Sequence, residues 1–142
     1  MEQDKLIPSV TLMAEEGASL SSGSLRLYAI PHSSLLTPHS PVGALDLYSY
    51  DPLNHRCAVG IMVATEYRRQ GYALAMLHAL AHSSFLTPHS SLHSLYADIA
   101  ATNTASLALF QKAGYQQCGR FRDWLLVNDR YIDSIRMQLI LP

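Results

Sequence analysis

The sequence predicts an α/β domain built on one mixed β-sheet, and two patterns carry that prediction. Segments of alternating apolar and polar residues occupy the first half of the chain and its end, which is typical of antiparallel strands. In the middle, strand, helix and strand follow one another over 57–99, which predicts a right-handed crossover between parallel strands. We therefore expect a mostly antiparallel sheet with a central parallel pair.

The first half of the chain predicts an antiparallel meander. Residues 6–13 are compatible with a strand, and 14–24 have a turn-like composition. Three later segments alternate well enough to be strands, and the last two are joined by the turn Asp51-Pro52-Leu53-Asn54. These three strands are 24–30, 42–50 and 56–63.

The second half predicts two helices and four more strands. Residues 71–82 are apolar on most sides, as expected of a helix packed on a sheet. A second helix over 104–113 begins after Asn103, a good N-cap, and ends before Gly114, a good C′ residue. The predicted strands are 94–100, 115–119, 124–127 and 132–141, with a hairpin tip at Asn128-Asp129.

Composition bounds the class of protein. The chain has 142 residues, which fits a single domain over 1–142. Its formal net charge of −1 does not suggest a polyanion-binding surface, so no nucleic-acid partner is expected. No apolar run approaches the roughly 20 residues that span a bilayer, and residues 1–5 do not resemble a signal peptide. We expect a cytoplasmic protein without a membrane partner, in which Cys57 and Cys118 are small core residues.

An internal near-repeat is the most unusual feature of the sequence. HSSLLTPHS at 32–40 recurs as HSSFLTPHS at 82–90. Serine, histidine and proline cannot form a buried stripe, and the threonine before each proline is disfavoured in a helix. We interpret both copies as surface loops. A metal site is the alternative, but no compact zinc-ligand spacing is present and no metal is expected; its ligands would be His32, His39, His82, His89 and His93.

The first segment with chemical potential runs from a strand into a helix N-terminus over 63–73. The N–H groups of a first helical turn have no partner within the helix, and the helix dipole is positive there, so phosphate binds well. Gly71 and Ala73 leave room for phosphate oxygens, and Arg68 and Arg69 add positive charge. By itself the segment is equally compatible with a solvated loop that carries two surface arginines.

The second segment is 103–115, and together the two segments resemble the GNAT superfamily of N-acetyltransferases. Arg68-x-x-Gly71-x-Ala73 matches the superfamily's acetyl-coenzyme A signature, Q/R-x-x-G-x-G/A. Residues 103–115 match the helix beside the pantetheine arm, although alone they also fit an ordinary capped amphipathic helix. The resemblance covers about residues 42–141 and is nearest to the ribosomal-protein N-terminal and spermidine acetyltransferase branch, through 60–73 and 128–133.

This resemblance implies a cosubstrate, a mechanism and a set of site residues. The cosubstrate is acetyl-CoA, whose pantetheine arm lies where two parallel strands splay apart. A backbone N–H near Met62 or Val63 polarises the thioester, and a primary amine attacks directly without an acyl-enzyme. The residues implied for cofactor binding are Ile61, Met62, Val63, Arg68, Arg69, Gln70, Gly71, Tyr72, Ala73, Asn103, Ser106 and Phe110.

The sequence departs from this family in two respects, its expected catalytic residues and its N-terminal region. The family's proton-donating tyrosine is replaced by Phe110, so Tyr131 or water is left as the acid. The family's glutamate base corresponds to Asp98, which is equally compatible with a solvated strand carboxylate. At the front, 1–23 are too poor in helix signals for the strand and two helices that usually wall the acceptor site.

Two functions remain open at this stage. The first is an acetyl-CoA-dependent N-acetyltransferase whose acceptor is a protein N-terminus, a polyamine or another small amine. The alternative is a catalytically weak acyl-CoA-binding or interaction module, favoured by Phe110 and by the short N-terminal region. A homodimer is a further possibility that the resemblance leaves open.

Overall fold

In the part of the chain that the structure describes, the fold is a seven-stranded mixed sheet with two α-helices. A computed structural model describes residues 8–32, 40–83 and 92–142. Within these ranges the strands are β1 (Val10–Ala14), β2 (Leu25–Pro31), β3 (Gly43–Asp51), β4 (Arg56–Val63), β5 (Ser94–Ala100), β6 (Gln116–Val127) and β7 (Arg130–Ile140), and the helices are α1 (Tyr72–Ala81) and α2 (Thr104–Lys112). The sheet order is β1-β2-β3-β4-β5-β7-β6, and every neighbouring pair except β4–β5 is antiparallel. The predicted mixed sheet is confirmed.

Both helices lie on one face of the sheet and cover the core. Helix α1 contacts β1, β3 and β4, α2 contacts β6 and β7, and the two helices contact each other. Alternate residues of the strands point at them and are fully buried, including Leu27, Leu45 and Leu95. This alternation is the pattern that predicted β2, β3 and β4, and the predicted antiparallel meander is confirmed.

The central parallel pair separates after a short stretch of pairing. Strands β4 and β5 are paired only from Arg56↔Ser94 to Ala58↔Tyr96. Beyond that point β4 stays paired with β3 as far as Val63, and β5 stays paired with β7 as far as Ala100. The two strands therefore splay, as predicted, and the β4 edge that faces β5 is open over its last residues.

The C-terminal hairpin corrects one prediction and confirms another. Segments 115–119 and 124–127 were expected to be separate strands, but β6 is one strand whose register with β7 shifts between Phe121 and Leu125. Asp123 takes a positive φ of 48° at this irregularity, and its N–H donates to Asp133 Oδ1 at 2.8 Å. The predicted tip is confirmed, since Asn128 and Asp129 both have positive φ, as in a type I′ turn.

The N-terminal region contains a strand but only a single 3₁₀ turn before β2. Strand β1 pairs with β2, so the strand considered for 6–13 is present, at Val10–Ala14. Between them the chain makes one 3₁₀ turn at Leu20–Ser22, capped by the Ser19 side chain. Over 8–32, 40–83 and 92–142, no helix packs on the sheet face opposite α1 and α2. That face instead exposes side chains such as Arg26 and Met62.

Several smaller predictions also have outcomes. Most of the two repeated segments lies outside the described residues, at 33–39 and 84–91. In the described part of the chain, no group of three or more histidine, cysteine or acidic side chains is arranged to hold a metal, and no helix is long and apolar enough to cross a bilayer. Cys57 is buried, as predicted, but Cys118 is exposed on β6, so that prediction was wrong.

Candidate functional site

A groove of about 700 Å³ opens beside the splayed end of β4. Its floor is the end of β4, one wall is the β4–α1 loop with the start of α1, and the other wall is α2. Ten of the residues implied by the sequence resemblance line this groove: Ile61, Met62, Val63, Arg68, Arg69, Gly71, Tyr72, Ala73, Asn103 and Ser106. Two segments about forty residues apart in sequence therefore meet in one cavity, in which their side chains can contact one extended ligand.

The N-terminus of α1 is open toward a ligand. Its N-cap is Gly71, which has a φ of 87° and provides no capping side chain. The first backbone bond of the helix runs from the Ala75 N–H to the Gly71 carbonyl, so the N–H groups of Tyr72, Ala73 and Leu74 precede the ladder. These three residues line the groove. Unsatisfied donors at the positive end of a helix dipole form an anion site.

Glycine is required at position 71 for two reasons. Its positive φ strains any L side chain, and a Cβ placed there would lie 3.1 Å from Pro8 Cδ. Arg69 also takes a positive φ, 62°, in the same loop. The chain thus holds two unusual backbone conformations within three residues, where the loop turns into α1. Such strain is concentrated at binding sites, where it fixes the direction of backbone donors.

The loop before α1 is held by two side chains that bond back to the backbone. Arg68 Nε donates to the Val63 carbonyl at 3.1 Å. Gln70 Nε2 donates to the Glu66 carbonyl at 3.0 Å. Arg68 lines the groove, but Gln70 does not, so the Gln70 side chain stabilises the loop while the predicted contact of its backbone N–H stays a prediction. The role of this side chain in the structure is to close the loop.

The α2 wall contains three residues that the sequence interpretation missed. Asn103 Oδ1 accepts the Ser106 N–H at 3.1 Å, so the predicted N-cap is present and the N-terminus of α2 is capped, unlike that of α1. Asn103 and Ser106 line the groove, and they are joined there by Ala105, Leu109 and Lys112. The helical spacing from 105 to 109 and 112 was the available signal for Lys112, because it places these residues on one face.

Phe110 lies in the core rather than on the groove. Its side chain is 2% exposed, and its ring meets that of Tyr115 edge-on, with the centroids 4.9 Å apart. The predicted contact of Phe110 with the cofactor is therefore not found among the groove-lining residues. The Tyr115 hydroxyl is buried and has no hydrogen-bond partner among the described residues, and burial raises the pKa of Tyr115.

The two predicted catalytic residues lie outside the groove. Both oxygens of Asp98 accept from Arg136, at 2.8 Å from Nε and 2.9 Å from Nη2. The hydrogen bond to Asp98 raises the pKa of Arg136, as expected of a tight ion pair. Tyr131 is exposed and lines a second cavity of about 490 Å³, between the β5–α2 connection and the β6–β7 hairpin.

Comparison with known families identifies this arrangement. Residues 13–116 match the family model described as an acetyltransferase (GNAT) domain. The chain belongs to this GNAT family. It is therefore an N-acetyltransferase by family, and the resemblance on which the site residues were chosen is confirmed at the level of the superfamily. A comparison with curated protein sequences gives no match.

Solved structures of similar fold include spermidine N-acetyltransferases. The SpeG enzyme from Vibrio cholerae in complex with CoA and spermine has a TM-score of 0.74 and 18% identity, with 85% of this chain and 68% of that chain covered. A dodecameric structure of the same enzyme has a TM-score of 0.71 and 18% identity, with 84% and 66% covered. At this identity the likeness establishes that the GNAT fold is shared.

Proposed function

We propose that this GNAT member binds acetyl-CoA in the groove and transfers the acetyl group to a primary amine by direct attack. One observation carries the proposal: the uncapped N-terminus of α1 opens into the same groove as the splayed end of β4. The capped N-terminus of α2 is the internal contrast, because its first-turn Ser106 N–H is already bound by Asn103. The pyrophosphate would therefore lie on the N–H groups at 69–73.

The open edge of β4 suits the pantetheine arm. The arm carries two amides, and an extended chain with amides pairs with a free strand edge as another strand does. Residues Ile61, Met62 and Val63 line the groove on this edge, and β5 has already turned away. A backbone N–H at Met62 or Val63 would hold the developing oxyanion of the thioester. Asn103 and Ser106 would contact the arm from the opposite wall.

The transfer step rests on positioning. The amine nitrogen forms a bond to the acetyl carbon, the carbon–sulfur bond breaks, and the CoA thiolate leaves while the amine loses a proton. Holding the amine against the thioester supplies much of the rate. Phe110 has no proton to give, and Asp98 is bound on both oxygens. We therefore propose water as the proton carrier, with Tyr131 as a candidate acid to be tested.

An activity assay can identify the acceptor class and can distinguish an acetyltransferase from an acyl-CoA-binding module. The structural neighbours are spermidine N-acetyltransferases, so a polyamine is one candidate acceptor, beside protein N-termini and other small amines. A weak acyl-CoA-binding module would bind the cosubstrate in the same groove without releasing thiol in the presence of any amine. Free-thiol release from acetyl-CoA with a panel of amines distinguishes the two functions.

Gly71→Glu tests the cofactor site. The change places a carboxylate where phosphate is expected and forces a side chain into a positive φ, so we expect acetyl-CoA affinity to fall by at least about tenfold. The measurement is isothermal titration calorimetry with acetyl-CoA. Gly23→Glu is the matched control, because Gly23 also has a positive φ, 101°, and open space around it, but lies outside the groove. Equal affinity in the two folded variants would refute the proposed site.

A further inference from the structure

The second cavity differs in chemistry from the cofactor groove. It is formed by Ala101 and Thr102 after β5 and by both strands of the β6–β7 hairpin, and it is large enough for a small molecule. Val127 and Ile132 are its apolar side chains of appreciable size. Its polar lining comes from Thr102, Asn128 and Tyr131 with two arginines and one aspartate.

The single carboxylate in this lining already has a cationic partner. Asp133 Oδ2 accepts from Arg120 Nε at 2.7 Å, and its Oδ1 accepts the Asp123 N–H at 2.8 Å. These donors hold the pKa of Asp133 below its usual range, the backbone bond from Asp123 being the larger cause. An ammonium group of a ligand would therefore share Asp133 with the Arg120 guanidinium.

The second arginine of the cavity has no carboxylate partner within the lining. Among residues 8–32, 40–83 and 92–142, Arg130 forms no ion pair, in contrast to Arg120. Asp123 and Asp129 are exposed carboxylates of the same hairpin, but neither lines the cavity. In the lining, the charges of Arg120 and Asp133 neutralise each other, and the positive charge of Arg130 remains. Hydroxyl and amide donors surround these groups. This is a site for an anion, and arginine favours a carboxylate in particular.

The cavity adjoins the proposed cofactor groove. Thr102 lines the cavity and the next residue, Asn103, lines the groove. The Ala101 N–H donates to the Asp133 carbonyl at 2.8 Å, which fixes this connection to β7. The cavity and the groove therefore meet at the connection formed by Thr102 and Asn103. An acceptor bound in the cavity would have to reach the thioester across this connection.

We infer that this cavity binds the carboxylate of the acceptor, so that the acceptor is a small amine that also carries a carboxylate, such as an amino acid. The inference rests on the proposed acetyl transfer and specifies its acceptor. It disfavours a polyamine, because a polycation would meet Arg130 and Arg120 here and would find Asp98 and Asp133 already paired with arginines. The chain thereby differs from neighbours of the same fold that act on spermidine.

The test compares leucine, leucinamide and spermidine as acceptors for the wild type, Arg130→Gln and Arg122→Gln. Arg122 lies on the same hairpin but does not line the cavity, so Arg122→Gln is the matched control. We expect Arg130→Gln to raise the KM for leucine about tenfold and to leave that for leucinamide unchanged. We compare the ratio of the leucine and leucinamide KM values between the wild type and each variant. The intrinsic nucleophilicity of each amine is the same for every protein, so it cancels in this comparison.

A second measurement does not depend on turnover. N-acetylleucine keeps the carboxylate of the expected product, and its binding by calorimetry should weaken about tenfold in Arg130→Gln and not in Arg122→Gln. If N-acetylleucine binds in this way but no amine releases thiol, the cavity assignment stands and the proposed transfer fails. A preference for spermidine, or an Arg130→Gln variant that treats leucine as the wild type does, overturns the inference while leaving acetyl transfer intact. No binding and no turnover overturns both.

Discussion

Asp98 is held in a small network on the sheet face opposite the helices. Its partner Arg136 lies over the ring of Tyr96, with the guanidinium carbon 4.3 Å from the ring centroid, and 5.6 Å from that of Phe121. The arginine is thus fixed by a bidentate carboxylate and by two aromatic faces. Both carboxylate oxygens of Asp98 are thus bonded to the same guanidinium. The geometry favours a structural role for Asp98.

Asp98→Asn tests that role, and Asp46→Asn is its matched control. Asp46 forms a similar bidentate pair with Arg26, at 2.7 and 2.9 Å, two strands away on the same face. Each pair is partly exposed, so each substitution should cost at most about 1 kcal/mol of stability. We expect both variants to retain kcat within about tenfold of wild type, whereas loss of a general base typically costs 10²–10⁴-fold. A drop of that size in Asp98→Asn alone would identify Asp98 as the base.

At the scale of elements, the close approach of β3 to β4 shapes the floor of the groove. Gly43 is the first residue of β3 and pairs with Val63. A Cβ at Gly43 would collide with the Met62 carbonyl and would lie 3.1 Å from Val63 Cα and 3.2 Å from Met76 Cε. Glycine at this position therefore lets the groove-lining end of β4 approach β3 closely.

Gly43→Ala should damage stability and cofactor binding together. The colliding atoms are backbone, so the end of β4 must shift, and we expect a loss of about 1–3 kcal/mol in the free energy of unfolding with weaker acetyl-CoA binding. Gly60→Ala is the control, since its Cβ would meet Tyr48 Cε1 at 3.7 Å and Asp46 Cβ at 3.9 Å, which are ordinary contacts. Urea unfolding and calorimetry measure the two effects. If Gly43→Ala is destabilised but binds acetyl-CoA as tightly as the wild type, the end of β4 does not contribute to cofactor binding.

The sequence predicted the elements whose ends are marked by nearby residues. It did not predict features that depend on pairing with another strand. Asn103 and Gly114 fixed the ends of α2, and the motif at 68–73 located the start of α1. In β6 the polar stretch around Arg122 and Asp123 reads as a loop, yet pairing with β7 on both sides of the irregularity makes one strand. The pairs of Asp98 with Arg136 and of Asp133 with Arg120 depend on strand register, which no local pattern specifies.

For the candidate site, the sequence located the groove but not the second cavity. The groove residues belong to two continuous motifs, so a linear pattern contains them. The cavity combines the end of β5 with both strands of the hairpin, and only folding brings Thr102 near Arg120 and Arg130. Tyr131, which the sequence suggested as an acid, lines this cavity, and its role as an acid stays a prediction. The expected homodimer and cytoplasmic location stay predictions, which sedimentation of the purified protein and cell fractionation would test.

At the scale of the whole molecule, paired carboxylates make stability depend on pH. Hydrogen bonds hold the pKa values of three aspartates below their usual range, chiefly through Arg26 for Asp46, Asn54 for Asp51 and the Asp123 N–H for Asp133. A group whose folded-state pKa is lowered stabilises the fold above its unfolded-state pKa, about 3.9 for aspartate, and loses this contribution as the pH falls through the folded-state value.

We therefore expect the free energy of unfolding to be nearly constant from about pH 7 to pH 5 and to decrease as the pH falls below about 4. Asp133→Asn should be less stable than wild type at neutral pH, and the difference should shrink in acid, because the wild-type carboxylate becomes protonated and loses its pair with Arg120. Urea unfolding at about pH 7, 4.5 and 3 measures this, and high salt should reduce the neutral-pH difference, since the pair is exposed to solvent. A difference between the two proteins that stays constant down to pH 3 would show that Asp133 acts through packing and not through its charge.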